Sequence, residues 1–187
     1  MDLLNTALAI DPSYAEAHGL AASCHMQRFV SESPDLSAAL ASSFAHAKAV
    51  MALRTDDAST LAFASMAYAR ATSDYETALQ MVDHALARNP SNAHALAYGA
   101  VLNGWAGRFD LAISLAERAL RCSPFDPVRH LALAITARAR LVRGDAEAAL
   151  AAARAEPCRR PPDICPRTGT FSSAWSSSDA RRSLKRP

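Results

Sequence analysis

Residues 74–90, DYETALQMVDHALARNP, return 34 positions later as residues 108–124, RFDLAISLAERALRCSP. Tyr75, Ala78, Ala85, Leu86 and Pro90 of the first block match Phe109, Ala112, Ala119, Leu120 and Pro124 of the second. A fixed period of this length marks a chain of stacked helical hairpins, none of which can bury its apolar face alone. The composition agrees. Half of the residues are apolar but only 6% are aromatic, and alanine supplies most of the rest. Alanine is the best helix former and lets helices approach closely. Alternating β-branched runs, the mark of strands, are scarce. The fold class expected is all-α.

The same punctuation divides the rest of the chain. Ala7, Leu8 and Pro12 repeat the Ala-Leu-x3-Pro ending, so the chain opens on a lone second helix, Asp2 to Ile10. The first partner of that helix is missing, which suggests a lost upstream part or a fragment of a longer protein. Ala52, Leu53 and Asp57 form the next ending, with aspartate in place of proline. Pro12 to Asp57 is 45 residues, about eleven more than the period, and the polar stretch 29–37 is where the excess is expected. Ser33 and Pro34 there read as a helix start. Four hairpins follow: Tyr14–Arg28 with Pro34–Arg54, Ser59–Ala71 with Tyr75–Arg88, Asn92–Ala106 with Phe109–Arg121, and Pro127–Arg143 with Asp145–Ala155. The second unit is one residue short of the period, from Asp57 to Pro90, which leaves its internal register open by one.

The character changes after residue 156. Residues 157–187 hold five of the ten prolines, with serine and arginine clusters and no apolar periodicity. This composition predicts a disordered basic tail. Its Arg, Pro and Ser enrichment also fits a frameshifted or degenerate end. The net charge is +2, but seven basic and two acidic residues fall in the tail, leaving 13 basic and 16 acidic in the body. A mildly acidic body is a poor nucleic-acid binder, and the tail is more simply a solvated segment than a nucleic-acid or lipid contact. No run of about 18 apolar residues is apparent, so no membrane span is expected. Cys24, Cys122, Cys158 and Cys165 are widely spread and suggest no disulfide framework, so a cytoplasmic location is expected.

The paired blocks resemble the tetratricopeptide repeat (TPR) family. Tyr75, Ala78, Ala85 and Pro90, and again Phe109, Ala112, Ala119 and Pro124, fill its second-helix pattern. Ala100 and Ala134 stand as its small first-helix residues, and the usual early tryptophan is replaced by His18, Leu96 and His130. The resemblance covers residues 1–156 and implies a right-handed superhelix of hairpins, an α-solenoid, with a concave face lined by the first helices. The stretches AHGLAASCHMQR and ALRCSPFDP resemble, more finely, the repeat region of bacterial regulators. There, such repeats follow a class III adenylate/guanylate cyclase domain or a winged-helix domain. The cyclase's metal-binding aspartates have no counterpart here.

What the resemblance implies is a protein or peptide partner held in a groove. The expected lining is Phe63, Ala67 and Arg70 from the second unit, His94, Ala97, Val101 and Trp105 from the third, and Leu131, Ile135 and Arg138 from the fourth. Ala97 and Val101 stand where a carboxylate clamp would need Lys or Asn, so an apolar peptide or helix is expected rather than an acidic tail. The alternative is an unused groove, or one filled by the chain's own tail. Trp105 reads either as an exposed anchor or as a residue packed between units. His18 and His25 share a helix face two turns apart, about 10 Å, with no second pair to complete four ligands, so no metal is expected. His46, His84 and His130 read as packing or surface residues. No nucleophile–base pair, phosphate-cradling loop or paired carboxylates are readable, so no cofactor and no catalysis are expected. The reading is a non-catalytic interaction module, as scaffold or regulatory portion of a signalling protein. The alternative is the remnant of a multidomain adenylate cyclase.

Overall fold

The computed structural model describes residues 1–30, 36–125 and 128–155. Among them are nine helices and no strand: α1 Asp2–Ile10, α2 Ala15–Val30, α3 Leu36–Leu53, α4 Ala58–Thr72, α5 Tyr75–Arg88, α6 Ala93–Trp105, α7 Phe109–Cys122, α8 Arg129–Val142 and α9 Ala146–Arg154. The expected tail, Ser33, Pro34 and Pro127 lie outside the described residues, as do Cys158 and Cys165.

Polar caps mark where α4, α5, α6 and α9 begin. Asp57 accepts a hydrogen bond from the Thr60 amide at 2.7 Å, Asp74 from Thr77 at 3.1 Å, Asn92 from Ala95 at 2.9 Å and Asp145 from Ala148 at 3.0 Å. Each satisfies one of the amides that a helix start leaves without a partner. Asp57 thus has a reason to replace the proline: it caps α4. Its cap lies 35 residues before that of Asn92, because α4 has two residues more than α6, 15 against 13, and the turn that follows it has one fewer. At the turns inside units three and four, Gly107 and Gly144 adopt φ of 79° and 84°, a region that costs glycine little.

The packing order is that of a two-layered solenoid. Within each unit the two helices pack together, as α2 on α3, α4 on α5, α6 on α7 and α8 on α9. Each second helix also packs on the next first helix, and the first helices α2, α4, α6 and α8 pack on one another in series. Among the described residues the second helices do not meet one another. The first helices therefore form the continuous inner layer. The small residues foreseen at the crossings are there: Ala78, Ala85, Ala100 and Ala112 are fully buried and Ala119 nearly so. Ala58, Leu61, Leu96, Tyr98, Val101, Ala116, Val128 and Ile135 belong to one cluster running through units two to four. Among the described residues α1 packs on α2 alone and buries no residue.

Three expectations change. The extra residues of unit one do not form only a loop: α2 has 16 residues and α3 has 18, both longer than their counterparts α6 and α7 with 13 and 14. Secondly, α3 is long and apolar enough to cross a membrane, with a mean hydropathy of 1.3 over its 18 residues. Its many alanines raise the index although each is small. In the fold Ala39, Ser43, Ala47 and Val50 are buried, and α3 packs between α2 and α4. Thirdly, Ala134, the expected small first-helix residue of unit four, is exposed, unlike its counterpart Ala100. α9 has nine residues against 14 in α5 and α7, so it covers less of α8.

Candidate functional site

The first helices supply the surface on which a groove was expected, and α6 decides its depth. Ten consecutive residues of α6, Ala95 to Gly104, are buried. They are enclosed by α4, α5, α7 and α8, all of which pack on this helix. Ala97 is fully buried and Val101 is 7% exposed, while Ala67 in α4 is fully buried and Ile135 in α8 is 5% exposed. These four are core residues and line no open groove. The cause is close approach. A methyl group built on Gly104 would lie 2.3 Å from Ile135 Cδ1, so the bare glycine is what lets α8 seat against α6.

The remaining six of the ten stay at the surface, and the structure gathers four of them into two pairs. Phe63 of α4 and His94 of α6 meet edge to face, with ring centroids 4.9 Å apart. Tyr98 backs both rings, at 6.3 Å from Phe63 and 6.0 Å from His94. Such arrangements suit the positive edge and negative face of aromatic rings. Towards the other end of the same helices, the Arg70 guanidinium stands 4.7 Å above the Trp105 ring. Tyr75, the first residue of α5, packs on that indole at 5.9 Å. Trp105 is half-buried between units two and three, packed against two apolar clusters with Arg70 over one face. Leu131 is half-buried against the main cluster, and Arg138 is exposed. The face is a closed floor of small side chains flanked by two aromatic pairs.

Two open hollows lie elsewhere. One, about 390 Å³, runs along Gly107–Leu111 and Arg143, and the other, about 490 Å³, lies beside Ile113, Arg140 and Asp145. Both lie beside the turns inside units three and four. Arg143 pairs with Asp110 there, and Arg140 with Glu117 at 3.5 Å. Among the described residues no group of three His, Cys, Asp or Glu side chains is arranged to hold a metal ion.

Sequence reasoning placed Phe63, Arg70, His94 and Trp105 on one face but missed Tyr98, because a tyrosine between alanine and glycine reads as core. It also missed the contact of His46 with His18 and His25, which needs two helices to be docked.

No family model matches the chain, and no curated protein sequence matches it. Its structure is similar to two crystal structures of MamA, a TPR-repeat protein. Each aligns at 18% identity and a TM-score of 0.56 over 81% of this chain, covering 81% of one MamA chain and 75% of the other. Together with the helix order, that likeness makes the architecture an α-solenoid of TPR type.

Proposed function

We propose that this chain is a non-catalytic protein-interaction module that takes an apolar or amphipathic helical segment across its first-helix face. The observation that carries this reading is the pair of part-exposed aromatic clusters, Phe63 with His94 and Trp105 with Arg70, on one side of the inner layer. Aromatic and arginine side chains of this kind dominate binding energy where they are desolvated by a partner. A floor of buried Ala67, Ala97 and Val101 offers no hydrogen-bond donors, so a bound carboxylate terminus would find no clamp. An apolar helix laid over alanines needs none. The role as scaffold or regulatory portion of a signalling protein, and the cytoplasmic setting, rest on the sequence resemblance and the free thiols of Cys24 and Cys122.

The test is a display of amphipathic and acidic-tail peptide libraries against the purified chain, followed by affinity measurement on selected sequences. Phe63→Ala with Trp105→Ala should weaken selected amphipathic peptides by more than tenfold, about 1.4 kcal/mol or more. Gln80→Ala, exposed on α5, should change nothing. Selection of acidic tails alone, or equal affinity of the double variant with an unchanged helical spectrum, would overturn the reading. Cyclic-nucleotide formation by the purified chain would overturn the non-catalytic part.

A further inference from the structure

Three histidines close the first hairpin. His46 of α3 inserts between His18 and His25 of α2, tilted against the first with ring centroids 5.1 Å apart and stacked on the second at 5.6 Å and 17°. His18 Nδ1 and His46 Nδ1 are 2.9 Å apart, and His18 Nε2 is 3.0 Å from the Pro12 carbonyl oxygen. A carbonyl only accepts, so Nε2 of His18 carries the hydrogen. Neutral His18 then presents a lone pair at Nδ1, to which Nδ1–H of His46 donates. The pair can take up one proton: a His18 imidazolium donates to Pro12 and to His46 alike. It cannot take up two, because two N–H donors would then face each other at the 2.9 Å separation. His25 adds a third ring whose Nδ1 is enclosed and has no hydrogen-bond partner.

We propose that this triad is a proton-operated latch, which holds α2 to α3 while the His18–His46 pair carries at most one proton and releases the hairpin when mild acid adds a second.

The surroundings do not supply the charge that would relieve a second proton. α1 brings the Met1 amine and Asp2, and the α1–α2 turn brings Asp11, which is engaged by the amide and hydroxyl of Ser13. α2 itself brings Glu16, Cys24 and Arg28, and α3 brings Lys48, which stands over the Phe44 ring at 4.9 Å. Of the titratable groups on α4, the Tyr68 hydroxyl turns to Asp74 and Arg70 turns to Trp105. In the α3–α4 turn, Asp57 caps α4, and Asp56 pairs with Arg88 and His84. Among the described residues no carboxylate bonds any of the three rings. Burial above all, then the charges of His18 and His25, holds His46 below the ordinary histidine value of 6.5. Burial, then Arg28 and the chain amine, does the same for His25. The unfolded segment therefore binds these protons first as pH falls. The stabilisation is whole above pH 6.5 and is lost as pH drops through the lowered folded values. α1 is tied to the triad through Pro12, so the opening unit is α1 to α3, and α6 and α7 keep their own contacts.

The experiment is amide hydrogen exchange of the full chain at about pH 7.5 and about pH 5, corrected for intrinsic rates, with histidine ring protons followed by NMR in parallel. Expected is a loss of protection of about tenfold or more across α2 and α3 at the lower pH, with α6 and α7 unchanged. His46→Gln, which cannot titrate, should shrink the difference to the part that His25 supplies, and His84→Gln, outside the cluster, should leave it whole. Equal protection at both pH values, or the same pH response in His46→Gln, would overturn the proposal. Should His46→Gln fail to fold, the wild-type NMR titration decides: His46 and His25 must protonate below 6.5, and His46 doing so at or above that value would overturn the latch.

Discussion

At the scale of the residue, absent atoms matter as much as present ones. A methyl group at Gly19 of α2 would lie 2.8 Å from Thr60 Cγ2 and 3.0 Å from Thr60 Cα. Alanine is worth up to about 1 kcal/mol more than glycine within a helix. Overpacking costs about 1–3 kcal/mol, and here the obstacle includes backbone, so α2 and α4 must separate. The clash wins, and Gly19→Ala is expected to lower the urea midpoint of the chain. An unchanged or higher midpoint would show that the crossing has slack. The alanines at 78, 85, 112 and 119 were legible in the sequence because their spacing repeats. Gly19 and Gly104 were not, since a lone glycine in a helix does not announce which neighbour it admits.

At the scale of the element, side-chain caps mark where the second and third hairpins start, and ion pairs mark how units follow one another. Asn92 caps α6 through Oδ1 and donates from Nδ2 to the Ser59 hydroxyl of α4 at 2.9 Å, joining two units. Removing a cap costs about 0.5–2 kcal/mol. Asn92→Ala is expected to fall in the upper half of that range, because the link to Ser59 goes with it, whereas Asn92→Asp should retain the cap and can keep the link by accepting from the Ser59 hydroxyl. Chemical denaturation of both variants checks this, and an Asn92→Ala as stable as the parent would remove the cap's role. Glu76 of α5 pairs with Arg108 at 2.7 Å, and one period on, Asp110 of α7 pairs with Arg143. Both pairs are exposed and worth about 0–1 kcal/mol each, so they report the repeat more than they hold it. The sequence did not show them, because charge positions drift where apolar ones cannot.

At the scale of the whole molecule, stability is shared along the stack unevenly. Among the described residues α6 touches four helices, whereas α1 touches α2 alone and α9 touches α8 alone. Leu96 in α6 is fully buried, and truncating such a leucine costs about 2–5 kcal/mol. Leu96→Ala should therefore shift the main unfolding transition strongly downward. Leu150→Ala, at a residue 50% exposed on α9, should barely move it. Circular dichroism melts of the two variants distinguish a shared core from independent hairpins: comparable shifts would contradict the packing order. The inward face, by contrast, was only half readable. Phe63, Arg70, His94 and Trp105 were placed on it from the repeat register, but their pairing across units depends on how tightly the first helices stack.

Among the described residues, the sequence by itself determined the hairpins, their order and the alanines that recur at their crossings. Those follow from local propensity and a period that the chain cannot satisfy without stacking. Tertiary structure alone decided that Ala67, Ala97, Val101 and Ile135 close the floor of the inner face, and that His46 lies between His18 and His25. Both outcomes depend on the distance between helices far apart in the chain. That distance is set by the summed volumes of facing side chains, a property no single stretch of sequence carries.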